Sequence, residues 1–261
     1  METSWWLSAL VIGAGFVCGV INTLAGSGSL ISLPILIFLG LPAPVANGTN
    51  RVGILLQNVA AGWSFKQSRV LDLRGALVLS VPAVLGSILG ASVAVNLNEE
   101  LMERVIGAVM LLMLVVLILR PERWLQGRLL ELSGRLNWKQ SASMFVIGAY
   151  GGFIQAGVGV FLLAALVLSV GYDLVRANAV KIIIVLAFSI SSLLIFSNNS
   201  QVDWGIGLLL GLGNMLGGWV AARLAVNKGA NWVRWVVIAT VALSVLYLFD
   251  AFDYLLAFLG S

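Results

Sequence analysis

The chain has 261 residues, of which 60% are hydrophobic and 10% are charged, and its mean hydropathy is +1.04. Soluble domains average roughly half apolar and a quarter charged residues, so this chain has more apolar surface than one folded core can bury. The composition excludes an ordinary water-soluble domain and predicts an integral membrane protein with the lipid bilayer as its solvent. The net charge of +4 comes mostly from short loops between apolar runs. Loop charge sets orientation in a membrane, and we expect no nucleic-acid partner.

Several kinds of chemistry are excluded by residue type. The chain contains no histidine, and its single cysteine, Cys18, lies inside the first apolar run. Disulfides and cysteine-based metal sites are therefore excluded, and the usual catalytic base is missing. We expect no cofactor and no metal. The stretch Met1–Trp6 has no Lys or Arg, so we expect the first apolar segment to be retained rather than cleaved as a signal peptide.

Ten apolar runs follow one another along the chain, and each predicts a helix in the membrane. They cover 5–26, 28–41, 45–65, 75–97, 105–119, 141–157, 158–172, 177–197, 204–225 and 232–249. The runs 28–41 and 158–172 are short for a full crossing, so each is either tilted or half of a re-entrant hairpin. The predicted fold is an all-α integral membrane protein with about eight to ten transmembrane segments, including short or broken helices.

The chain divides into two related halves. Ala25-Gly26-Ser27-Gly28 matches Ala156-Gly157-Val158-Gly159 at a numbering offset of 156 − 25 = 131, and the same offset relates Ala46-Asn47 to Ala177-Asn178. Matches in order and spacing indicate a duplication. The predicted divisions are a first transmembrane repeat (1–120), a basic amphipathic cytoplasmic linker (121–140) and a second transmembrane repeat (141–261).

Loop charges give each half an orientation. Loop 66–74 is basic and predicted to be cytoplasmic, as is the linker, whereas loop 197–203 carries no Lys or Arg. Corresponding loops of the two halves therefore face opposite sides of the membrane. This predicts an inverted-topology repeat in a multi-pass protein of the inner (plasma) membrane, with both termini outside. Such repeats carry substrates around a site near the membrane midplane.

The first candidate site is the pair of glycine-broken segments at matching places in the two halves. Interrupted helices expose backbone N–H groups, and a helix N-terminus carries about half a positive charge, which favours anions. Close packing of small residues is the alternative explanation of each motif. The candidate substrate-binding residues here are Asn22, Ser27, Gly28, Ser29, Gln155, Gly157 and Gly159.

The second candidate site is a polar patch that opens the third run of each half. Arg51 and Lys181 lie a turn or two inside apolar runs, and an intramembrane cation indicates a substrate or ion path. Snorkelling of the long side chain to the interface is the alternative. The remaining substrate-binding candidates of this patch are Asn47, Thr49, Asn50 and Asn178. Gln57, Asn58 and Asn214 are deeper polar positions for which packing between helices is the favoured role.

Acidic residues are absent from the middle of every apolar run. With no histidine either, the sequence offers no obvious buried proton carrier. Export of an anion does not require one, because each negative charge that leaves a cell at 100 mV, inside negative, gains about 2.3 kcal/mol. The pattern favours efflux or facilitated permeation of a small anion over a proton-coupled pump, although backbone carbonyls remain able to bind a coupling sodium ion.

The order of these motifs resembles the TauE/SafE family of bacterial and archaeal membrane proteins. The similarity covers Gly19-Val20-Ile21-Asn22, Ala25-Gly26-Ser27-Gly28, Leu33-Pro34, Gly40 and Ala46-Asn47-Gly48-Thr49-Asn50, with a degenerate copy in the second half. The chain departs from the family where serines replace consecutive glycines and where Val158 and Val160 occur. The resemblance implies export of sulfite, sulfoacetate or related organosulfonates.

The hypothesis is therefore a transporter of a small anion, not an enzyme. An uncoupled channel or permease for other small anions is the main alternative, and a structural membrane subunit is a further one. An intramembrane enzyme is disfavoured, because the sequence has no histidine and no paired intramembrane carboxylates. The anion, any coupling ion, the direction of transport and assembly into a homo-oligomer stay open at this point.

Overall fold

The structure is a computed structural model that describes residues 5–119 and 137–248, and every regular element in these ranges is a helix. The helices are α1 (Trp5–Leu24), α2 (Ser29–Phe38), α3 (Ala43–Gln67), α4 (Leu73–Ala94), α5 (Glu99–Leu119), α6 (Trp138–Phe153), α7 (Val158–Ala165), α8 (Leu174–Asn198) and α9 (Trp204–Leu248). A π-helical segment, Leu166–Val170, extends α7, and Gly229 interrupts α9 with φ of 76°. The predicted all-α fold is confirmed. Most of the linker predicted at 121–140 lies outside the described residues.

Each predicted run corresponds to a helical segment, but five helices (α3, α4, α5, α6 and α8) begin two to six residues earlier than their apolar runs. Two of them, α3 and α5, show the reason. α3 begins at Ala43 because Pro44 occupies its first turn, where the missing N–H has no intrahelical partner to lose. α5 begins at Glu99, ahead of the predicted run, because two acidic residues fill its first turn and Asn98 accepts a hydrogen bond from the Leu101 N–H. Polar residues that favour a helix start are invisible to a search for apolar runs.

Much of the outer surface is apolar, as lipid contact requires. Within the described residues, four segments are long and apolar enough to cross a membrane: Trp5–Leu24, Leu73–Ala94, Leu174–Asn198 and Trp204–Gly229. Large exposed side chains such as Leu111 and Val146 project from the helices. Exposed tryptophans lie near helix ends, including Trp138 and Trp204, where aromatic side chains favour the membrane–water interface. The chain is a multi-pass membrane protein.

The two short helices fold back along the helices that precede them. The Gln140 side chain, in the first turn of α6, donates a hydrogen bond to the Ser169 carbonyl at the end of the segment that follows α7. In the first half, Val11 of α1 packs in one cluster with Leu36 and Leu41. α2 has ten residues and is about 15 Å long, half of a hydrocarbon core of about 30 Å. α1–α2 and α6–α7 are therefore helical hairpins, and α2 is too short to cross the hydrocarbon by itself.

Glycines bring the helices close together and fix their directions. Gly86 of α4 lies against the backbone of Phe145 of α6, and Gly90 lies against that of Ala149. Both numbers increase together, so these two helices are parallel. The glycines at 15 and 19 of α1 lie against 210 and 214 of α9 in the same way. α3 and α8 are antiparallel, because Gly48 lies beside Phe196 and Gly62 lies beside Ile183. Small residues allow such approach of backbones within a membrane.

The numbering offset between the halves recurs in the backbone. Helices α3 and α8 begin at Ala43 and Leu174 and end at Gln67 and Asn198, so both ends are related by the offset found in the sequence. Two pairs of left-handed glycines follow the same offset: Gly26 and Gly157 (φ 78° and 69°), and Gly40 and Gly171 (φ 88° and 92°). α3 and α8 thus correspond in the chain and run in opposite directions. The inverted topology of the whole chain and its sidedness stay predictions, since 120–136 between the halves lie outside the described ranges.

The loop before α4 is held by one aspartate with two partners. The Asp72 carboxylate accepts hydrogen bonds from the Gly75 N–H (2.9 Å) and from the Tyr172 hydroxyl (2.6 Å). Burial and this hydrogen bond raise the pKa of the Tyr172 phenol. The contact joins the α3–α4 loop to the segment before α8. Asp203, which the same offset relates to Asp72, caps α9 in the same way by accepting from the Ile206 N–H.

Asp72→Ala is expected to lower the free energy of unfolding by about 1–2 kcal/mol, since an N-cap and a hydroxyl partner are lost together. Thermal unfolding in detergent measures the change. Glu103→Ala, on the exposed surface of α5, is the control and should have little effect. Equal stability of the two variants would contradict the role given to Asp72.

Candidate functional site

The tips of the two hairpins meet inside the bundle. α1 ends because Gly26 adopts a left-handed conformation, and its N–H donates to the carbonyls of Ile21 and Asn22. α6 ends at an extended residue, Ile154. Gly26 and Gly159 contact each other backbone to backbone, so that a Cβ on either one would overlap the other. The two glycine-broken segments singled out from the sequence are therefore brought together at one place, here called the crossing (residues 25–28 and 154–159).

Lys181 of α8, in the second half of the chain, binds the carbonyl groups at the end of α1, in the first half. Its ammonium donates to the carbonyl oxygens of Asn22 (3.1 Å) and Thr23 (2.8 Å), and to Oδ1 of Asn178 (2.8 Å). An ammonium has three N–H donors, and three oxygens lie around this one. The side chain is 1% exposed, so it does not snorkel to the interface. Snorkelling, the alternative considered for this residue, is wrong.

Arg51 of α3, in the first half, likewise binds the carbonyl groups at the end of α6, in the second half. Its Nη1 donates to the Gly151 carbonyl (3.1 Å) and the Ser192 hydroxyl (2.8 Å), and its Nη2 to the Gly152 carbonyl (2.6 Å) and the Phe153 carbonyl (3.4 Å). The side chain is fully buried, so snorkelling is wrong here as well. The planar guanidinium suits a row of carbonyls at a helix end, where an ammonium would reach fewer of them.

Each cation faces a helix C-terminus, where unpaired carbonyls carry about half a negative charge. The side-chain charge of +1 and the helix-end charge of about −0.5 sum to about +0.5 at each hairpin. The first turn of α2, beginning at Ser29, adds its own partial positive charge near the crossing. In the described residues, acidic side chains occur only in loops and at helix starts, such as Asp72, Glu99 and Asp203. By this count, the charges around the crossing sum to a positive value.

The two cations lie at different depths. Arg51 contacts Ser192, and Ser192 is eleven positions (192 − 181) along α8 from Lys181. At 1.5 Å per residue, the backbone of Ser192, which marks the level of the Arg51 guanidinium, lies about 16 Å along α8 from the backbone of Lys181. A small anion therefore cannot contact both at once. In the sequence, Arg51 and Lys181 lie at nearly equivalent positions of the two halves. Because α3 and α8 are antiparallel, these positions are far apart in the structure.

The other predicted residues divide between the crossing and the framework. The Asn22 amide donates to Oε1 of Gln57 (3.0 Å), and the Gln155 amide donates to the Ser189 hydroxyl (2.6 Å). The Asn47 amide donates to the Phe153 carbonyl (2.9 Å), beside Arg51. Thr49 is not part of the crossing, because its hydroxyl accepts from the Asp203 N–H in the loop before α9.

Several buried donors have no hydrogen-bond partner among the described residues. There are six of them, and the three nearest to the crossing in the chain or in their contacts are the Ser29 hydroxyl and the Nδ2 groups of Asn50 and Asn178; the others are Arg51 Nε, Asn58 Nδ2 and the Ser64 hydroxyl. Oδ1 of Asn50 accepts from Ser32 (2.6 Å), which turns the amide nitrogen to the opposite side. Ser27 is buried as well, at 3% exposure. Buried donors without partners are costly in an apolar interior, and they suit an anionic or hydrated ligand.

Four residues of this network were not among the predicted site residues. Gln57 binds Asn22 and also donates to the Thr23 hydroxyl (3.1 Å), although packing was its favoured role. Ser32, Ser189 and Ser192 were missed because single serines within apolar runs are common in membrane helices. The Ser189-Ile190-Ser191-Ser192 sequence in the middle of α8 was the available signal.

Paired broken helices at corresponding places in two halves of a membrane protein are typical of transporters. Residues 11–248 match the family model described as "Sulfite exporter TauE/SafE", so the chain belongs to the TauE/SafE family. A probable membrane transporter protein, ORF9, of a Sinorhizobium species is 25% identical over 99% of each chain. A probable membrane transporter protein of Haemophilus influenzae is 27% identical over 89% of this chain and 90% of its own.

A third relative is the probable membrane transporter protein YfcA of Escherichia coli strain K12, which is 25% identical over 94% of this chain and 92% of its own. No solved structure matches the chain. The relatives bear names of membrane transporters, which agrees with a function in transport. Their names do not specify a substrate.

Proposed function

We propose that this membrane transporter exports small sulfur-containing anions, such as sulfite, sulfoacetate or related organosulfonates, past the crossing of its two hairpins. The observation that carries the proposal is the pair of buried cations, Arg51 and Lys181, for which no acidic partner is found among the described residues. Buried charge of one sign is unfavourable in an apolar medium and becomes favourable when an ion of opposite sign enters. The description of the family, sulfite exporter, supports the choice of sulfur oxyanions.

The substrate path runs between the two halves. Donors suited to an anion lie at the crossing and beside it: Ser29, Asn50 and Asn178. Because the cations are about 16 Å apart in depth, the anion passes them in succession. Each cation retains only about half of its charge after its helix end is counted, which is enough to attract an anion and weak enough to release it.

Transport follows the electrical gradient in this proposal. The sidedness is the one predicted from loop charge, with both termini outside the inner membrane and the basic loops in the cytoplasm. An anion that leaves the cell then gains about 2.3 kcal/mol per charge at 100 mV. Association into a homo-oligomer is compatible with the exposed apolar faces and is not needed for this path.

A flux panel in liposomes tests the substrate. The purified chain is reconstituted, and entry of sulfite, sulfoacetate, sulfate, chloride and acetate is compared with and without a potassium-diffusion potential. We expect the flux of sulfite or sulfoacetate to exceed that of chloride and acetate by about tenfold, which corresponds to the net free energy of about one hydrogen bond, and we expect the potential to accelerate it. Equal permeation of all five anions would contradict the sulfur-anion assignment and favour the uncoupled channel, which single-channel conductance would then detect.

A further inference from the structure

The carbonyl groups at the two helix breaks are already occupied by cations that belong to the chain. Thr23 is the penultimate residue of α1, and its carbonyl accepts from Lys181. Phe153 ends α6, and its carbonyl accepts from Arg51 and Asn47. In transporters with broken helices, unwound carbonyls and helix C-terminal ends coordinate the coupling sodium ion.

We propose that the ammonium of Lys181 and the guanidinium of Arg51 take the places of coupling alkali cations, so that anion movement here requires no sodium or potassium ion. The part that concerns transport rests on the proposed anion flux. The part that concerns binding does not, since it follows from the oxygens around each side chain.

Geometry supports a cation position at Lys181 in particular. Two backbone carbonyls and one side-chain amide oxygen converge on Nζ at 2.8–3.1 Å, and all three belong to residues that are at least partly buried. The set contains oxygen ligands only, which is the chemistry that hard cations prefer. Asn178 contributes Oδ1 from one turn before Lys181 on α8, so the oxygen stays in place when the lysine is changed.

Removal of the tethered charge is expected to create a binding site for a free ion. Lys181→Ala deletes the ammonium and its stem and leaves three oxygens around a small cavity. An alkali cation that enters would restore the positive charge that α1 requires at its end. The variant should then depend on sodium or potassium, whereas the wild-type chain should not.

The first measurement is anion flux of the wild-type chain in liposomes. Sodium and potassium salts are replaced on both sides by N-methylglucamine salts at equal ionic strength. The proposal expects the same rate within about twofold, because equal ionic strength leaves electrostatic screening unchanged. A rate that falls tenfold without alkali cations, or one driven by a sodium gradient, would overturn it.

The second measurement is thermal unfolding of Lys181→Ala in detergent, which needs no flux. We expect sodium or potassium chloride to raise its unfolding temperature in a saturable way relative to N-methylglucamine chloride, with no such shift for wild type. Lys66→Ala, an exposed lysine at the end of α3, is the matched control and should behave as wild type. If Lys181→Ala folds and no alkali cation stabilises it, the cation site is wrong.

A third variant covers the case in which Lys181→Ala does not fold. Lys181→Met keeps the volume of the stem and removes the charge, which leaves little room for an ion. The proposal expects it to be insensitive to alkali cations, and sodium-dependent stabilisation of this variant would overturn the proposal. Should no anion cross the membrane at all, the proposed function fails while the two unfolding experiments still decide the cation site.

Discussion

Gly26→Ala is expected to lower the free energy of unfolding by about 2–5 kcal/mol and to abolish anion flux. Two independent effects combine at this position. A φ of 78° is unfavourable for alanine, and its Cβ would overlap the backbone of Gly159 in the opposite hairpin. The hairpins would have to separate, which disrupts the crossing. Equilibrium unfolding in detergent and liposome flux measure the two effects.

Two glycines of the same chain separate these effects. Gly40 has φ of 88° with open space around its Cβ position, so Gly40→Ala should cost only the conformational part, about 1–2 kcal/mol. Gly107 lies in α5 with open space as well, and Gly107→Ala should stabilise the helix by about 0.5–1 kcal/mol. If Gly26→Ala were no more damaging than Gly40→Ala, the close contact between the hairpins would be refuted.

Arg51→Ala is expected to reduce anion flux by about a hundredfold and the free energy of unfolding by about 3 kcal/mol or more. Three carbonyls of the last turn of α6 lose their cationic donor, and unpaired buried acceptors cost about 1–3 kcal/mol each when water cannot replace the donor. Phe196, whose ring centroid lies 4.4 Å from the guanidinium carbon, loses a cation–π partner as well. Flux in liposomes, normalised to folded protein, measures the functional part.

Arg51→Lys and Arg104→Ala are the companion variants. Lysine restores the charge but not the fork that reaches several carbonyls, so an intermediate flux is expected. Arg104 is exposed on α5 and pairs only with Glu100 among the described residues, so its removal should change stability by less than about 0.5 kcal/mol. Flux of the wild-type rate from folded Arg51→Ala would exclude Arg51 from the anion path.

The sequence predicted most of the architecture because its signals are local. Apolar runs depend on neighbouring residues alone, and the glycine motif can be compared with its second copy by reading the chain, without knowledge of contacts between helices. That segment 28–41 folds back along α1 did not follow from its length. The structure shows it by packing residues that are distant in the chain, such as Val11 with Leu36 and Leu41.

The sequence predicted which residues form the candidate site, but not which groups they contact. Arg51 and Lys181 are recognisable as intramembrane cations from their positions in apolar runs. That each one binds the helix end of the other half follows only from the antiparallel packing of α3 and α8. Thr49 is the opposite case. It belongs to the predicted polar patch, but its hydroxyl accepts a hydrogen bond from Asp203, in a loop 154 positions away in the chain.

The exchange of cations between the halves has a consequence for folding. A half folded alone would present an open row of carbonyls at its hairpin and a bare cation in its third helix, and the other half supplies the missing partner of each. The first half carries its cation at residue 51 and the second at residue 181, which corresponds to residue 50, one as arginine and the other as lysine. The two halves therefore depend on each other, and neither helix end finds its cation until both halves have folded.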